Sequence, residues 1–308
     1  HLRAYALGAC ELGLRQGNGE FLRNKMPKYL QDRVLKGVYR EFPELRRPFR
    51  AKFEDLALKK RKRMNLSKMN LTRLELEFAN VFLQCGNQTK LNLSFNSMTY
   101  DRLAPIAPHL SHHPGLTSLN LSYTRIGDDG MRLVCNGLSV NSRVTDLNLA
   151  AAGFRLAGAE ALGDLLAHNS ALTQLYMPFN DLGKDGATAI APGIAKNVSL
   201  KNLNLRGNRI GPLGATAVAK ALELNDGKIT ELSLVDNSIG DDGALALSTH
   251  WHVMGVEGVL KALIPGYPDT DLFLHPDVAD KEVVERMGHG DLVDFDVRWL
   301  VGWLVGGV

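Results

Sequence analysis

Leu91-Asn92-Leu93-Ser94-Phe95-Asn96 returns five more times along this chain, as LNLSYT from Leu119, LNLAAA from Leu147, LYMPFN from Leu175, LNLRGN from Leu203 and LSLVDN from Leu232. The first leucines of successive copies are 28, 28, 28, 28 and 29 residues apart. Within a copy, apolar and polar residues alternate, the two-residue period of a strand with one buried face. A polar turn follows, such as Asn208-Arg209-Ile210-Gly211 or Asn237-Ser238-Ile239-Gly240, and then a stretch rich in Ala and Leu at helical spacing, as from Ala215 to Leu224. The unit is therefore strand, turn, helix.

One such unit has an apolar strand face and an apolar helix stripe and can bury neither alone, so the units must stack and share a core. Strands sit about 4.8 Å apart whereas packed helices need about 8 to 10 Å. The strands should consequently line the inside of a curve. These residues resemble the leucine-rich repeats of the ribonuclease-inhibitor type, in the pattern LxxLxLxxNxIG followed by a helix. The resemblance covers about half the chain and is strongest over 203–224 and 232–247. It implies an α/β leucine-rich-repeat solenoid, with a curved parallel β-sheet on the concave side and helices on the convex side. In that family the Asn hydrogen-bonds neighbouring turns; Thr124 and Ala152 replace it here, so looser turns are expected at those two positions.

The repeats divide the chain. Residues 1–70 read as an N-terminal helical cap, with helical spacing to about residue 16, a break at Gly17-Asn18-Gly19 and a second helix opening at Pro27. Residues 71–250 hold the array: an atypical first unit, in which Leu74 and Leu76 suggest a preliminary strand, then six regular units. Residues 251–308 read as an insertion and a degenerate C-terminal capping repeat around Leu272–Asp277. The ending from Trp299 is far shorter than the roughly 20 residues of a membrane helix. Beginning at His1, the chain is expected to be part of a longer protein.

Residues 1–63 carry 17 basic and 7 acidic side chains, a net +10, so the remainder carries −7 to give the formal +3. The segment 46–63 contributes nine of those bases and ends in Lys59-Lys60-Arg61-Lys62-Arg63. These five residues are expected to bind an acidic protein surface such as tubulin; nucleic acid is less favoured because no aromatic platform accompanies the charges. Three separated cysteines, Cys10, Cys85 and Cys135, without a CxxC pair, argue for a reducing compartment.

The side chains flanking the buried leucines should face the hollow of the curve. Asn92, Asn120, Asn148, Tyr176, Asn204, Arg206 and Ser233, with the nearby Phe179, are the candidate protein-binding residues; Tyr176, Phe179 and Arg206 are the types that anchor interfaces. The repeated Gly-Asp-Asp-Gly and Gly-Lys-Asp-Gly sequences place an acid in the first turn of a helix, which explains them structurally. His109, His112, His113, His250 and His252 read as surface residues, and no phosphate loop, cofactor motif or metal set occurs.

The leading expectation is a non-catalytic protein-interaction scaffold, a subunit of a cytoplasmic or cytoskeletal assembly; family resemblance permits an axonemal, ciliary one. Two alternatives stand beside it. The segment MPKYLQDRVLKGV, within 26–38, is similar to leucine-proline helices of ubiquitin-ligase adaptors, which implies a substrate receptor. The Ran-activating protein is similar to these repeats, which implies a GTPase activator using an arginine such as Arg125 or Arg209.

Overall fold

The computed structural model describes residues 47–51, 62–76, 79, 88–225 and 227–248. Seven three-residue strands form one open parallel sheet in chain order: β1 (Arg63–Asn65), β2 (Lys90–Asn92), β3 (Ser118–Asn120), β4 (Asp146–Asn148), β5 (Gln174–Tyr176), β6 (Asn202–Asn204) and β7 (Glu231–Ser233). Between β2 and β3 lie two single-turn helices, α1 (Tyr100–Leu103) and α2 (Ala107–Leu110). Full helices follow each later strand: α3 (Gly127–Leu138), α4 (Leu156–His168), α5 (Gly183–Lys196), α6 (Gly211–Asn225) and α7 (Gly240–Ser248). Pro105 and Pro108 divide α1 from α2, since neither can donate the amide that a continuous helix needs at its position.

The period becomes register. Met64, Leu91, Leu119, Leu147, Leu175, Leu203 and Leu232 are successive partners across the sheet, each at most 2% exposed. Removing a side chain of this kind from water contributes about 2 kcal/mol, so the leucine row is a main source of cohesion between units. Helix residues such as Val134, Leu162, Ile190 and Val218 complete the same core from the other side.

Three polar ladders tie the units together. The first runs through the turns: Asn96, Asn180, Asn208 and Asn237 donate to a carbonyl of the preceding unit and to one of their own. The second lies at the helix C-termini. There Asn141, Asn169, Asn197 and Asn225 each reach a carbonyl 31 residues earlier and receive backbone N–H groups of the segment that follows. The third is made by Thr117, Thr145 and Thr173, whose hydroxyls each donate to the carbonyl 28 residues earlier. The second ladder also absorbs His113: it is 5% exposed, and its Nδ1 accepts the N–H groups of Gly115 and Leu116. It is not a surface residue but the histidine version of the ladder asparagine; His109 is half-buried and His112 exposed.

The structure corrects further expectations. The first strand is Arg63–Asn65, while residues 73–76, including Leu74 and Leu76, form a helical turn in which the Glu75 carboxylate accepts the Thr72 N–H. Met64-Asn65-Leu66-Ser67 is a copy of the repeated phrase with Met in place of the first leucine. Nor are the turns at Thr124 and Ala152 looser. Both residues are fully buried, the Thr124 hydroxyl donates to Leu121 O, and the main-chain bonds Met98 N to Thr124 O (2.8 Å) and Gly127 N to Ala152 O (3.2 Å) persist. Backbone bonds, which every residue supplies, hold the turn where the amide is missing. Of the helical cap expected over 1–70, residues 47–51 are helical with Phe49 buried in the core, and 62–70 hold β1 and its turn instead of a cap. Its other residues, among them Lys59, Lys60 and Arg61, and the terminal repeat lie outside the described residues.

Candidate functional site

The open face of the sheet is polar because the strands alternate. Between the buried leucines, Asn92, Asn120, Asn148 and Asn204 stand half-exposed at one register position, with Tyr176 replacing the Asn in β5 and Ser233 in β7. Each of the four asparagines accepts, through Oδ1, the backbone N–H two residues ahead: Ser94, Ser122, Ala150 and Arg206, at 2.9 to 3.0 Å. That bond closes the end of the strand. The Nδ2 groups of these four have no hydrogen bond among the described residues, which leaves a row of donors at the strand spacing. The following position is less open than alternation implies: Ser94, Ser122, Ala150 and Val235 are buried, while Pro178 and Arg206 stay half-exposed.

Tyr176 and its neighbours interrupt this polar row. The Tyr176 hydroxyl donates to Gln174 Oε1 at 3.2 Å. One turn on, Phe179 is half-exposed, and the Arg206 guanidinium carbon lies 5.6 Å from its ring centroid. Arg206 also pairs with Asp236 at 2.7 Å. Partly exposed pairs contribute little to stability, about 0 to 1 kcal/mol, so this contact acts mainly to hold the guanidinium over the phenyl face. Gly207 makes the arrangement fit, because a Cβ there would sit 2.6 Å from Phe179 Cδ1.

Of the run Lys59-Lys60-Arg61-Lys62-Arg63, Lys62 and Arg63 are described, and both are exposed. The Lys62 carbonyl accepts the Thr89 and Lys90 N–H groups, and Arg63 is the register partner of Lys90. Arg125 stands exposed in its turn, whereas Arg209 pairs with Asp181 at 2.9 Å. The first-turn acid Asp128 does more than favour its own helix. Its Oδ1 accepts the N–H groups of Arg155 (2.7 Å) and Gly158 (2.9 Å), so it caps α4, the helix of the next unit.

On the helix side an open concavity of about 450 Å³ lies between α3 and α4, lined by residues including Cys135, Glu160, Asp164, Leu165 and His168. Leu165 occupies the repeat position that glycine takes at Gly137 and Gly193, and its bulk accompanies the opening. Burial pushes the Cys135 thiol well above its usual range, and the Asp164 charge adds to that. A protonated thiol is a poor nucleophile. We expect iodoacetamide at pH 8 to leave Cys135 unmodified in the native protein and to alkylate it in urea, read by mass spectrometry; native labelling at the urea rate would contradict this. Among the described residues no group of three or more His, Cys, Asp or Glu is placed to hold a metal, and no helix is long and apolar enough to cross a membrane.

Four stretches of the array, residues 112–135, 168–191, 196–219 and 228–248, match the family model described as Leucine Rich repeat. The chain is a leucine-rich-repeat protein. No curated protein matches it in sequence. Among solved structures, "Leiomodin-1 Actin-Binding Site 2 (ABS2)" is similar at 20% identity with a TM-score of 0.41, covering 50% of this chain and 90% of that one. Within the leucine-rich repeats, three functional-looking residues escaped the reading of the strands: Phe95, Tyr123 and Asp236. Each is the fifth letter of its copy of the repeated phrase, aromatic in LNLSFN and LNLSYT and acidic in LSLVDN.

Proposed function

We propose that this leucine-rich-repeat chain is a non-catalytic interaction scaffold that docks other proteins on the open face of its sheet, as a subunit of a larger cytoplasmic or cytoskeletal assembly, an axonemal one included. The observation that carries the reading is the face itself. A row of asparagine amide donors at strand spacing is broken by Tyr176, with Phe179 and Arg206 beside it. Rigid aromatic and arginine anchors in a hydrogen-bonding surround are what an interface needs. The exposed pair Lys62 and Arg63, at the first strand, extends the same face toward an acidic partner.

The experiment is proximity labelling of the chain in its native cell, followed by cross-linking of the purified assembly. Tyr176→Ala is expected to reduce capture of its neighbours about tenfold or more, with an unchanged melting curve because Tyr176 is half-exposed. Neighbours that persist undiminished in Tyr176→Ala, or cross-links confined to the helix side, would remove the proposal.

A further inference from the structure

The fifth position of the phrase forms a column of its own. Lys68, Phe95, Tyr123, Ala151, Phe179, Gly207 and Asp236 all have φ between 48° and 64°, and each of the first six donates its N–H to a carbonyl of the next unit at 2.7 to 3.0 Å. Non-glycine residues rarely adopt this left-handed conformation, and bulky ones do so least readily. Here every unit imposes it, so the side chains rise in line along one rim of the sheet at the strand spacing.

The rim is aromatic and, over its first units, cationic. Phe95 and Tyr123 stack with centroids 4.5 Å apart and planes 5° from parallel, and Lys68 Nζ lies 5.0 Å from the Phe95 centroid. The next position along the column is Ala151, a methyl group where Tyr123 and Phe179 on either side carry rings. Beyond Ala151 stands Phe179, whose ring leans over Gly207, away from Tyr123. Tyr123 and Phe179 are two units apart, about 9.6 Å at the usual strand spacing. Because the Phe179 ring leans away toward Gly207, the opening over Ala151 is wider than this, with room for a planar ring to stack on Tyr123 as Phe95 does. The column is a stack with one rung left out.

We infer that the slot over Ala151 receives an aromatic side chain of an acidic protein segment that lies along this rim, a reading that rests on the docking role proposed above. The charge supports an acidic segment. Among the described residues from 62 to 125, Lys62, Arg63, Lys68, Arg73, Lys90 and Arg125 are exposed cations and Asp101 is the exposed acid, whereas Asp128, Asp129, Asp146 and Asp181 follow, so the segment's carboxylates lie on the Phe95 side of the slot. Tyr123 and Phe179, each about half-exposed, supply two faces for the incoming ring, and the cations hold the flanking carboxylates.

The probe is a short fluorescein-labelled peptide of aspartate and glutamate with one central tryptophan, compared with its alanine-centred twin by fluorescence anisotropy on the full chain. The tryptophan peptide is expected to bind about tenfold more tightly. Ala151→Phe fills the slot with a residue that the same backbone conformation already holds at positions 95 and 179. It should abolish the preference for tryptophan while leaving the weaker binding of the twin. Tyr123→Leu, which removes one wall, should reduce the preference, and Lys68→Glu with Lys90→Glu should weaken both peptides. Equal affinity of the two peptides for the wild-type chain, or a preference that survives Ala151→Phe, would overturn the inference. So would oligothymidine binding more tightly than the tryptophan peptide and being lost in Ala151→Phe, which would assign the slot to nucleobases. If the slot fails while capture of neighbours still depends on Tyr176, the docking role stands without it.

Discussion

Asn197→Ala is expected to lower the unfolding free energy by about 3 kcal/mol, among the largest effects of any single side-chain truncation outside the leucine row. Asn197 is 2% exposed and makes four bonds to main chain. Its Nδ2 donates to Leu166 O (2.7 Å) and Asn169 O (3.0 Å), and its Oδ1 accepts from Ser199 N (3.0 Å) and Leu200 N (2.6 Å). The net value of each bond is about 1 kcal/mol, but deleting the side chain leaves both carbonyls and both amides buried without it, which is the expensive case. In a repeat protein the loss falls on one junction between units. Urea denaturation should show an earlier midpoint, and hydrogen exchange should rise first in the units either side of residue 197. A change under about 1 kcal/mol would mean that the helix-end ladder is dispensable.

Gly193→Ala is the second large effect, and its sign runs against helix propensity. In an open helix the change would stabilise by about 1 kcal/mol. Here α5 meets α4 backbone to backbone: a Cβ at 193 would lie 2.2 Å from Gly163 O and 2.9 Å from Gly163 C and Cα. The contact is reciprocal, since a Cβ at Gly163 would lie 2.6 Å from Ala189 O. No flexible side chain can give way, so the two helices must separate and the leucines and alanines between them lose contact. We expect a net loss of about 3 kcal/mol, the upper part of the range for overpacking. Gly115→Ala, where the nearest atom is Gln88 O at 3.5 Å, serves as the near-neutral control. Thermal unfolding of both variants decides it; equal melting temperatures would refute the close-packing account.

The candidate face was partly legible in advance. Asn92, Asn120, Asn148, Tyr176, Asn204 and Ser233 could be assigned to one register position because strand alternation and an unbroken period leave no other arrangement. The pairing of Arg206 with Asp236 and its approach to Phe179 could not, since both depend on rotamers and on the missing side chain of Gly207. The aromatic rim was visible as letters but not as a surface: the left-handed backbone that lines those rings up is imposed by bonds between units. His113 misleads for a related reason. Beside prolines a histidine reads as exposed, and only its place 28 residues before Asn141 reveals that it serves as a ladder residue.

By itself the sequence determined that the units are strand, turn and helix, that the strands are parallel and in register, and that the leucine row is buried. A constant period makes each residue's neighbour its own counterpart one unit away. The tertiary structure alone decided where the array's first described strand lies, how Asp128 caps the helix after its own, and why a gap stands between Tyr123 and Phe179. Those features arise from contacts between residues some 27 to 31 apart whose chemistry differs from unit to unit, and a repeat pattern averages such differences away.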